Sequence, residues 1–366
     1  YAISLPAWLY MLLGNNISSG SPDVTSSCLM IQLFLTFAAF IMAADKPERA
    51  ELFGTLLLLG AICLCVQLNT LGMVAGVWGV ATFLLVLEKD ISCFLSTRAL
   101  AGAAAAAFLI GCWVYRGALI SGYPLFPSRA IAVPVAWRMK ESDVDRHREA
   151  VVHWARIPFG DRRTALEGFS WLRPWFKRVA AMDIQFNWPI GIGLVGAAAL
   201  SLASWMEIRL RRGFYFMALL CVPLAVQTGF WLLTAPEPRY FGAGAWLFAI
   251  APILALIAAQ GSLVFLAAIA NLYLCAVPMA GLFWETKWIW AAPDPRFPEI
   301  PQPGLVEVQN RFGLRYYAPT EGNQSFDSAL PASNTNLSEI GFLDPAAGIA
   351  GGFRPMTENH AAEAKR

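Results

Sequence analysis

The side chains able to do chemistry in this sequence are the few charges that border its long uncharged stretches. Arg239 is the sole basic residue of a six-residue loop, 234–239, and directly precedes an uncharged run of 45 residues, Tyr240 to Trp284. A cation at membrane depth is costly unless it is paired or functional, and a guanidinium matches a phosphate through two parallel hydrogen bonds. Arg239, with Tyr240 beside it, therefore reads as a phosphate or lipid-headgroup contact; the competing readings are snorkelling to the interface and pairing with Glu237. Arg116 lies near the far end of the span that carries the Ala-rich stretch Ala101 to Ala107, with Trp113 and Tyr115 beside it, and reads either as a headgroup contact of the same kind or as simple snorkelling. Arg156 and Trp154 belong to a stretch that mixes aromatic and basic residues, which suits lipid phosphates. Asp23 is the only acid of the loop before the first full apolar run, where Ser21-Pro22-Asp23 also reads as an ordinary turn or helix cap.

The elements that must position these residues are membrane helices. Of 366 residues, 57% are AVILMFWYC, 14% are charged, and the mean hydropathy is +0.52. The 27 Lys+Arg and 25 Asp+Glu leave a net charge of +2. They are bunched, so that runs of 21 (Val24 to Ala44), 36 (Leu52 to Leu87), 23 (Ile184 to Met206), 24 (Gly213 to Pro236) and 45 residues carry no charge. A bilayer needs about 20 apolar residues per helix. This composition excludes a secreted disulfide scaffold, a disordered chain and a soluble nucleic-acid binder.

The runs divide at their own turn signals, near Asn69 to Gly72 and at Gln260-Gly261. Eight spans are expected, at about 27–44, 51–68, 71–87, 99–119, 188–207, 213–233, 240–258 and 262–282, preceded by a half-span at 1–13. The chain opens at Tyr1 inside an apolar stretch, which reads as a truncated start. Lys46, Arg49, Lys89, Arg98, Arg209, Arg211 and Arg212 fall in loops of one parity, whereas the short loops of the other parity hold only Arg239. By the positive-inside rule the first set is cytoplasmic. The fold class expected is an all-α integral membrane protein, a bundle of about eight to nine transmembrane helices. Its parts are transmembrane helices in 1–120, an external segment of interfacial helices in 121–187, transmembrane helices in 188–283 and an external, partly disordered tail in 284–366.

The external segment opens on SGYPLFPS (Ser121 to Ser128), whose Gly and prolines oppose helix. Two amphipathic helices are expected after it, one capped by Ser142 and one over about 163–182, with Trp171, Trp175 and Phe176 interleaved with Arg173, Lys177 and Arg178. They read equally as a passive cover lying on the bilayer or as a phosphate-lipid site. Gln67 and Asn69 read as turn and inter-helix hydrogen-bonding residues. No metal site is expected: Cys63 and Cys65 face different ways on a helix, and His147 and His153 do not share a face. No nucleotide or metalloprotease motif occurs. In the tail, 304–317 reads as strand and 344–366 as disordered or loosely attached.

At SGYPLFPS, Val133-Pro134 and His153-Trp154-Ala155-Arg156 the chain resembles a family of large polytopic bacterial membrane proteins that is similar to the GT-C superfamily of lipid-linked-sugar glycosyltransferases. The stretches ISSGSPD (Ile17 to Asp23), APEPRY (Ala235 to Tyr240) and YAPTEGNQ (Tyr317 to Gln324) fit the same pattern. Where the family carries a paired cysteine signature, this chain has Ser325 and Ala332. The external loop in which GT-C enzymes usually carry their carboxylate would lie upstream of Tyr1, which leaves Asp23 as the acid available here. The resemblance implies a multi-pass protein of the bacterial inner membrane, with 121–187 and the C-terminus on the periplasmic side. It would act in cell-envelope polysaccharide or glycolipid assembly on a polyprenyl-phosphate sugar, without a cofactor. The resemblance does not identify the general base, for which Asp23 is the acid this sequence offers, while Arg239, Tyr240, Arg116, Arg156 and Trp154 are the residues it offers for phosphate and lipid. The rival is a non-catalytic membrane subunit that holds a protein partner. A transporter would show inverted repeats, and none is visible.

Overall fold

The computed structural model describes residues 22–135, 137–181, 186–207, 211–259 and 304–320, and beyond them the short stretches 332–333, 337–338, 340–342, 344, 346–348 and 353–355. The protein is an all-α polytopic membrane protein. Six described stretches are long and apolar enough to cross a bilayer. They are α1 (Asp23–Met42), α2 (Lys46–Val66), α3 (Leu71–Leu87, entered through the 3-10 turn Leu68–Thr70), α5 (Thr97–Ser121), α9 (Trp188–Met206) and α10 (Arg211–Thr234), with the short α4 (Ile91–Phe94) between α3 and α5. A seventh apolar helix, α12 (Gly244–Ala259), has 16 described residues. It starts later than the expected 240 because Pro238–Phe241 forms its own short helix, α11, closed by Gly242 at φ +57°. The expected span 262–282, the half-span 1–13 and Arg209 lie outside the described residues.

These helices are apolar all round, so packing is set by where backbones can approach. Small residues do this in membranes. Gly72 and Gly76, one turn apart on α3, lie against α10: a Cβ on Gly76 would stand 2.5 Å from Pro223 Cα, and one on Gly72 would stand 2.7 Å from Gln227 Cα. Gly54 of α2 and Gly102 of α5 meet in the same way, a Cβ on Gly102 falling 2.3 Å from the Gly54 carbonyl. Gly193 of α9 meets the Phe248 carbonyl of α12. α1 is the most enclosed span, 56% buried, whereas α5 is 6% buried and leaves most of its surface to lipid.

The two ends of the bundle differ in chemistry. At one, Lys46 pairs with Asp90 at 3.5 Å, Arg49 with Glu88, and Arg98 with Glu51, joining α2 to the α3–α4 connection and to α5. At the other end α1 begins at Asp23, α2 finishes before Gln67, and α11 lies across them.

The segment after α5 turns at Gly122 (φ +78°) and returns: Tyr123 is buried and donates to the Met139 carbonyl at 3.3 Å. The expected cap at Ser142 is corrected, for α6 (Glu141–Arg156) starts two residues earlier, with Lys140 at the N-cap position and no side-chain capping bond. The expected single helix over 163–182 is two, α7 (Arg162–Leu166) and α8 (Leu172–Ala180), because Gly168 takes φ +57°, a left-handed conformation that ends a helix. Asp161 caps α7 by accepting from the Thr164 N–H at 2.7 Å, a bond that holds its carboxyl below the usual range. Trp171, Trp175 and Val179 turn inward to meet Trp231, Phe241 and Phe186 in one aromatic cluster, while Phe169, Leu172 and Phe176 are exposed.

Trp290–Arg366 and Pro134–Arg138 form a second compact unit. In it β1 (Leu305–Gln309) and β2 (Arg315–Pro319) make an antiparallel hairpin whose turn is held by Asn310 Oδ1, which accepts from the Phe312 and Leu314 N–H groups at 3.0 Å each. β3 (Ile340–Phe342) pairs antiparallel with β4 (Phe353–Pro355). The stretch 344–366, expected to be disordered or loosely attached, contributes β4 to this pairing.

Candidate functional site

The site is built on one tight turn. α2 ends where Gln67 leaves helical geometry for an extended conformation (φ −156°, ψ 119°). Its side chain then reaches the first residue of α1, Nε2 donating to Asp23 Oδ1 at 2.9 Å. Two residues on, Asn69 Nδ2 donates to the Tyr240 carbonyl at 2.7 Å, tying the turn to α11. The turn is fastened from behind by Gln227, which is fully buried in α10. Its Nε2 donates to the Asn69 carbonyl at 2.9 Å, and its Oε1 accepts from the Met73 N–H at 2.8 Å, one of the backbone donors that a helix start leaves without an intrahelical partner.

Arg239 stands beside this turn. Its guanidinium lies over the Tyr240 ring, 4.9 Å from the centroid, and donates to the Tyr240 hydroxyl at 3.1 Å. Among the described residues no carboxylate forms an ion pair with it. Burial weighs most heavily against its charge; the Tyr240 hydroxyl, Asp23 and Glu237 together outweigh that and hold its pKa above the usual guanidinium value. Asp23 thus lies within electrostatic reach of Arg239. The pairing of Arg239 with Glu237, one of the sequence readings, does not occur. Glu237 instead takes Arg178 of α8 at 2.8 Å, and its backbone carbonyl accepts from the Trp231 indole at 2.8 Å.

The remaining candidates have other duties. Arg156 donates to the Ala165 carbonyl at 3.0 Å and lies 4.6 Å from the Trp171 ring centroid, bracing α6 against α7 and α8; its burial lowers its pKa. It joins the Arg239 loop only indirectly, through Arg178, whose second nitrogen donates to the Ala155 carbonyl at 2.8 Å. Trp154 is partly exposed, edge-on to Phe159 at 4.8 Å. Arg116 is exposed on α5, and no hydrogen bond or ion pair links it to Asp23, Arg156 or Arg239 among the described residues. The structure therefore brings Asp23, Arg239 and Tyr240 together and leaves Arg116 and Trp154 apart.

Sequence reasoning overlooked Arg178 as the partner of Glu237. It also passed over Gln227, although a carboxamide in a 24-residue uncharged run is a signal in itself. Among the described residues no group of three or more His, Cys, Asp or Glu side chains is placed to hold a metal ion, and the six described cysteines are free. What the arrangement offers is one carboxylate, one cation without an ion-pair partner and several carboxamides at the mouth of a helix bundle. That set suits an anionic headgroup which also carries hydrogen-bond donors.

No curated protein and no solved structure matches the chain. A family model described as a domain of unknown function (DUF8201) matches residues 1–246, a stretch that contains Asp23, the Gln67–Asn69 turn, α8, Arg239 and Tyr240. The chain belongs to the DUF8201 family.

Proposed function

We propose that this protein is a GT-C-like glycosyltransferase of the bacterial inner membrane, transferring sugar from a polyprenyl phosphate on the periplasmic side during envelope polysaccharide or glycolipid assembly. The observation that carries the reading is that Asp23 and Arg239, far apart in sequence, lie at one end of the bundle beside the same Gln67–Asn69 turn and within electrostatic reach of each other. In the step proposed, an acceptor hydroxyl oxygen attacks the anomeric carbon of the sugar. The bond from that carbon to the phosphate oxygen breaks, the phosphate leaves with the electron pair beside Arg239, and the hydroxyl proton passes to Asp23. Gln67 Nε2 orients that carboxylate, and Tyr240 holds the guanidinium over its ring.

The test is transfer of labelled sugar from polyprenyl-phosphate hexoses and pentoses into the lipid and polysaccharide fractions of membranes that contain the full chain. Removing a general base lowers rates about 10²- to 10⁴-fold, so Asp23→Asn is expected to abolish transfer at unchanged protein level, and Arg239→Gln to raise the donor concentration required. Transfer that survives Asp23→Asn unchanged would sink the assignment.

The placement of Arg116 and Arg156 favours a second reading, that of a non-catalytic membrane subunit. Arg156 braces its own segment and Arg116 stands apart, so neither supports a three-arginine phosphate clamp. A stoichiometric partner that co-purifies with the chain, together with absence of transfer, would establish this reading instead.

A further inference from the structure

Two acceptors in the Gln67–Asn69 turn are unexplained by anything above. Gln67 Oε1 and Asn69 Oδ1 are both buried, and neither has a hydrogen-bond partner. Native interiors leave few buried polar atoms unpaired, and such atoms call for a reason. An amide flip does not supply one. Gln67 Nε2 is committed to Asp23 Oδ1 and Asn69 Nδ2 to the Tyr240 carbonyl, so turning either carboxamide over would set oxygen against oxygen. The turn's Gln67 and Asn69 carbonyls are already engaged: that of Gln67 accepts from the Thr70 N–H at 3.2 Å and the Thr70 hydroxyl at 2.9 Å, and that of Asn69 accepts from Gln227. The turn is thus locked from behind, with two fixed acceptors left over between the start of α1 and α11.

We infer that these two oxygens form a hydroxyl-reading subsite, accepting hydrogen bonds from the sugar of a lipid-linked sugar phosphate. This rests on the function proposed above and adds to it which residues recognise the sugar as distinct from its phosphate. The chemistry follows from the donor balance. Arg239 supplies donors for a phosphate, while Gln67 and Asn69 supply acceptors, which a phosphate cannot use and a polyol can. A site that hydrogen-bonds hydroxyls rejects an analogue lacking them, because its buried acceptors then go unpaired.

The experiment uses the full chain in nanodiscs of phosphatidylglycerol and phosphatidylcholine. Binding is measured for farnesyl phosphate and for its glucosyl, mannosyl, galactosyl and arabinosyl esters. At least one ester is expected to bind about tenfold more tightly than bare farnesyl phosphate, the worth of roughly one good buried hydrogen bond. Gln67→Met and Asn69→Leu also remove the bonds to Asp23 and to the Tyr240 carbonyl and so weaken bare farnesyl phosphate as well; they should weaken the preferred ester more, so that the tenfold gain of ester over bare phosphate is erased. Deoxy analogues of the preferred ester, tested on the unaltered protein, should lose the gain at one or two hydroxyl positions, a readout that stands even where a variant fails to fold. If bare farnesyl phosphate binds as tightly as every ester, the subsite is wrong while the lipid-phosphate part of the proposed function stands. If none of the five binds, the proposed function falls and the subsite with it. If phosphatidylethanolamine added to the discs displaces the esters more strongly than phosphatidylcholine does, the oxygens read an ammonium headgroup and the inference is overturned.

Discussion

Glu237 shows what one side chain does for this site. It is 12% exposed and its charge is answered by Arg178, itself 28% exposed, at 2.8 Å. Breaking such a pair on one side leaves a largely desolvated charge, which costs more than losing the pair altogether. Arg178→Ala is therefore expected to destabilise the protein by about 2 kcal/mol, and the double change Arg178→Ala with Glu237→Gln by clearly less. Thermal unfolding in detergent decides it; equal losses in the two proteins would mean that the guanidinium acts through packing alone. Asp90 makes a pH-dependent case at the opposite end. The Ser92 hydroxyl, donating at 2.6 Å, and the ammonium of Lys46 hold its carboxyl below the usual range. A depressed carboxylate contributes stability above its unfolded pKa of about 3.9 and loses it as pH falls through the folded value. The melting point of Asp90→Asn should lie below that of the unaltered protein at pH 7, with the gap kept down to about pH 4 and shrinking below it. A gap independent of pH would show that the charge is not the cause.

Among the elements, the contact between α3 and α10 carries the site, because Gln227 of α10 holds the turn that presents Gln67 and Asn69. Gly76 lets the two helices approach. A methyl group there would stand 2.5 Å from Pro223 Cα, a backbone atom that cannot rotate aside. Gly76→Ala should cost about 1–3 kcal/mol as the helices part. Gly79→Ala, on the same helix with nothing within 4 Å of the added carbon, should be neutral or slightly stabilising, since alanine is the better helix former. Equal melting points for the two variants would disprove the close-approach account. The spans themselves were legible in the sequence, since charge-free runs and their turn residues are local signals. The break at Gly168 was not, because the pattern of Trp171, Trp175 and Phe176 continues a helical period and a lone Gly in such a pattern is often tolerated. β4 was missed because Phe353–Pro355 lies in Gly- and Pro-rich sequence and gains its order from a partner strand. Within the site, Arg239 stood out as a lone cation. Gln67 and Asn69 were legible as turn and inter-helix hydrogen-bonding residues, but their partners Asp23 and Tyr240, distant in the chain, were not.

On the scale of the whole bundle, the difference between its ends decides what the site can reach. Lys46, Arg49 and Arg98 are each matched to a carboxylate, so that end is basic in composition yet internally paired. Pairing does not remove the bias that orients a chain, because the positive-inside rule counts Lys and Arg and gives Asp and Glu little weight. The Lys46 end is therefore expected in the cytoplasm and the Asp23–Arg239 end outside it. The exposed Phe169, Leu172 and Phe176, next to Arg173 and Lys177, would then lie at the outer headgroup layer, where an apolar face flanked by cations is stable. A cysteine-free background with Arg173→Cys on α8 or Arg212→Cys at the start of α10 tests this. Both positions are exposed, and they belong to opposite ends. A membrane-impermeant maleimide applied to intact spheroplasts should label Arg173→Cys at once and Arg212→Cys only after permeabilisation. The reverse pattern would place Asp23 and Arg239 in the cytoplasm, where a sugar donor need not be lipid-linked because soluble nucleotide sugars are at hand, and the case for a polyprenyl phosphate would fail on topology before any assay of transfer.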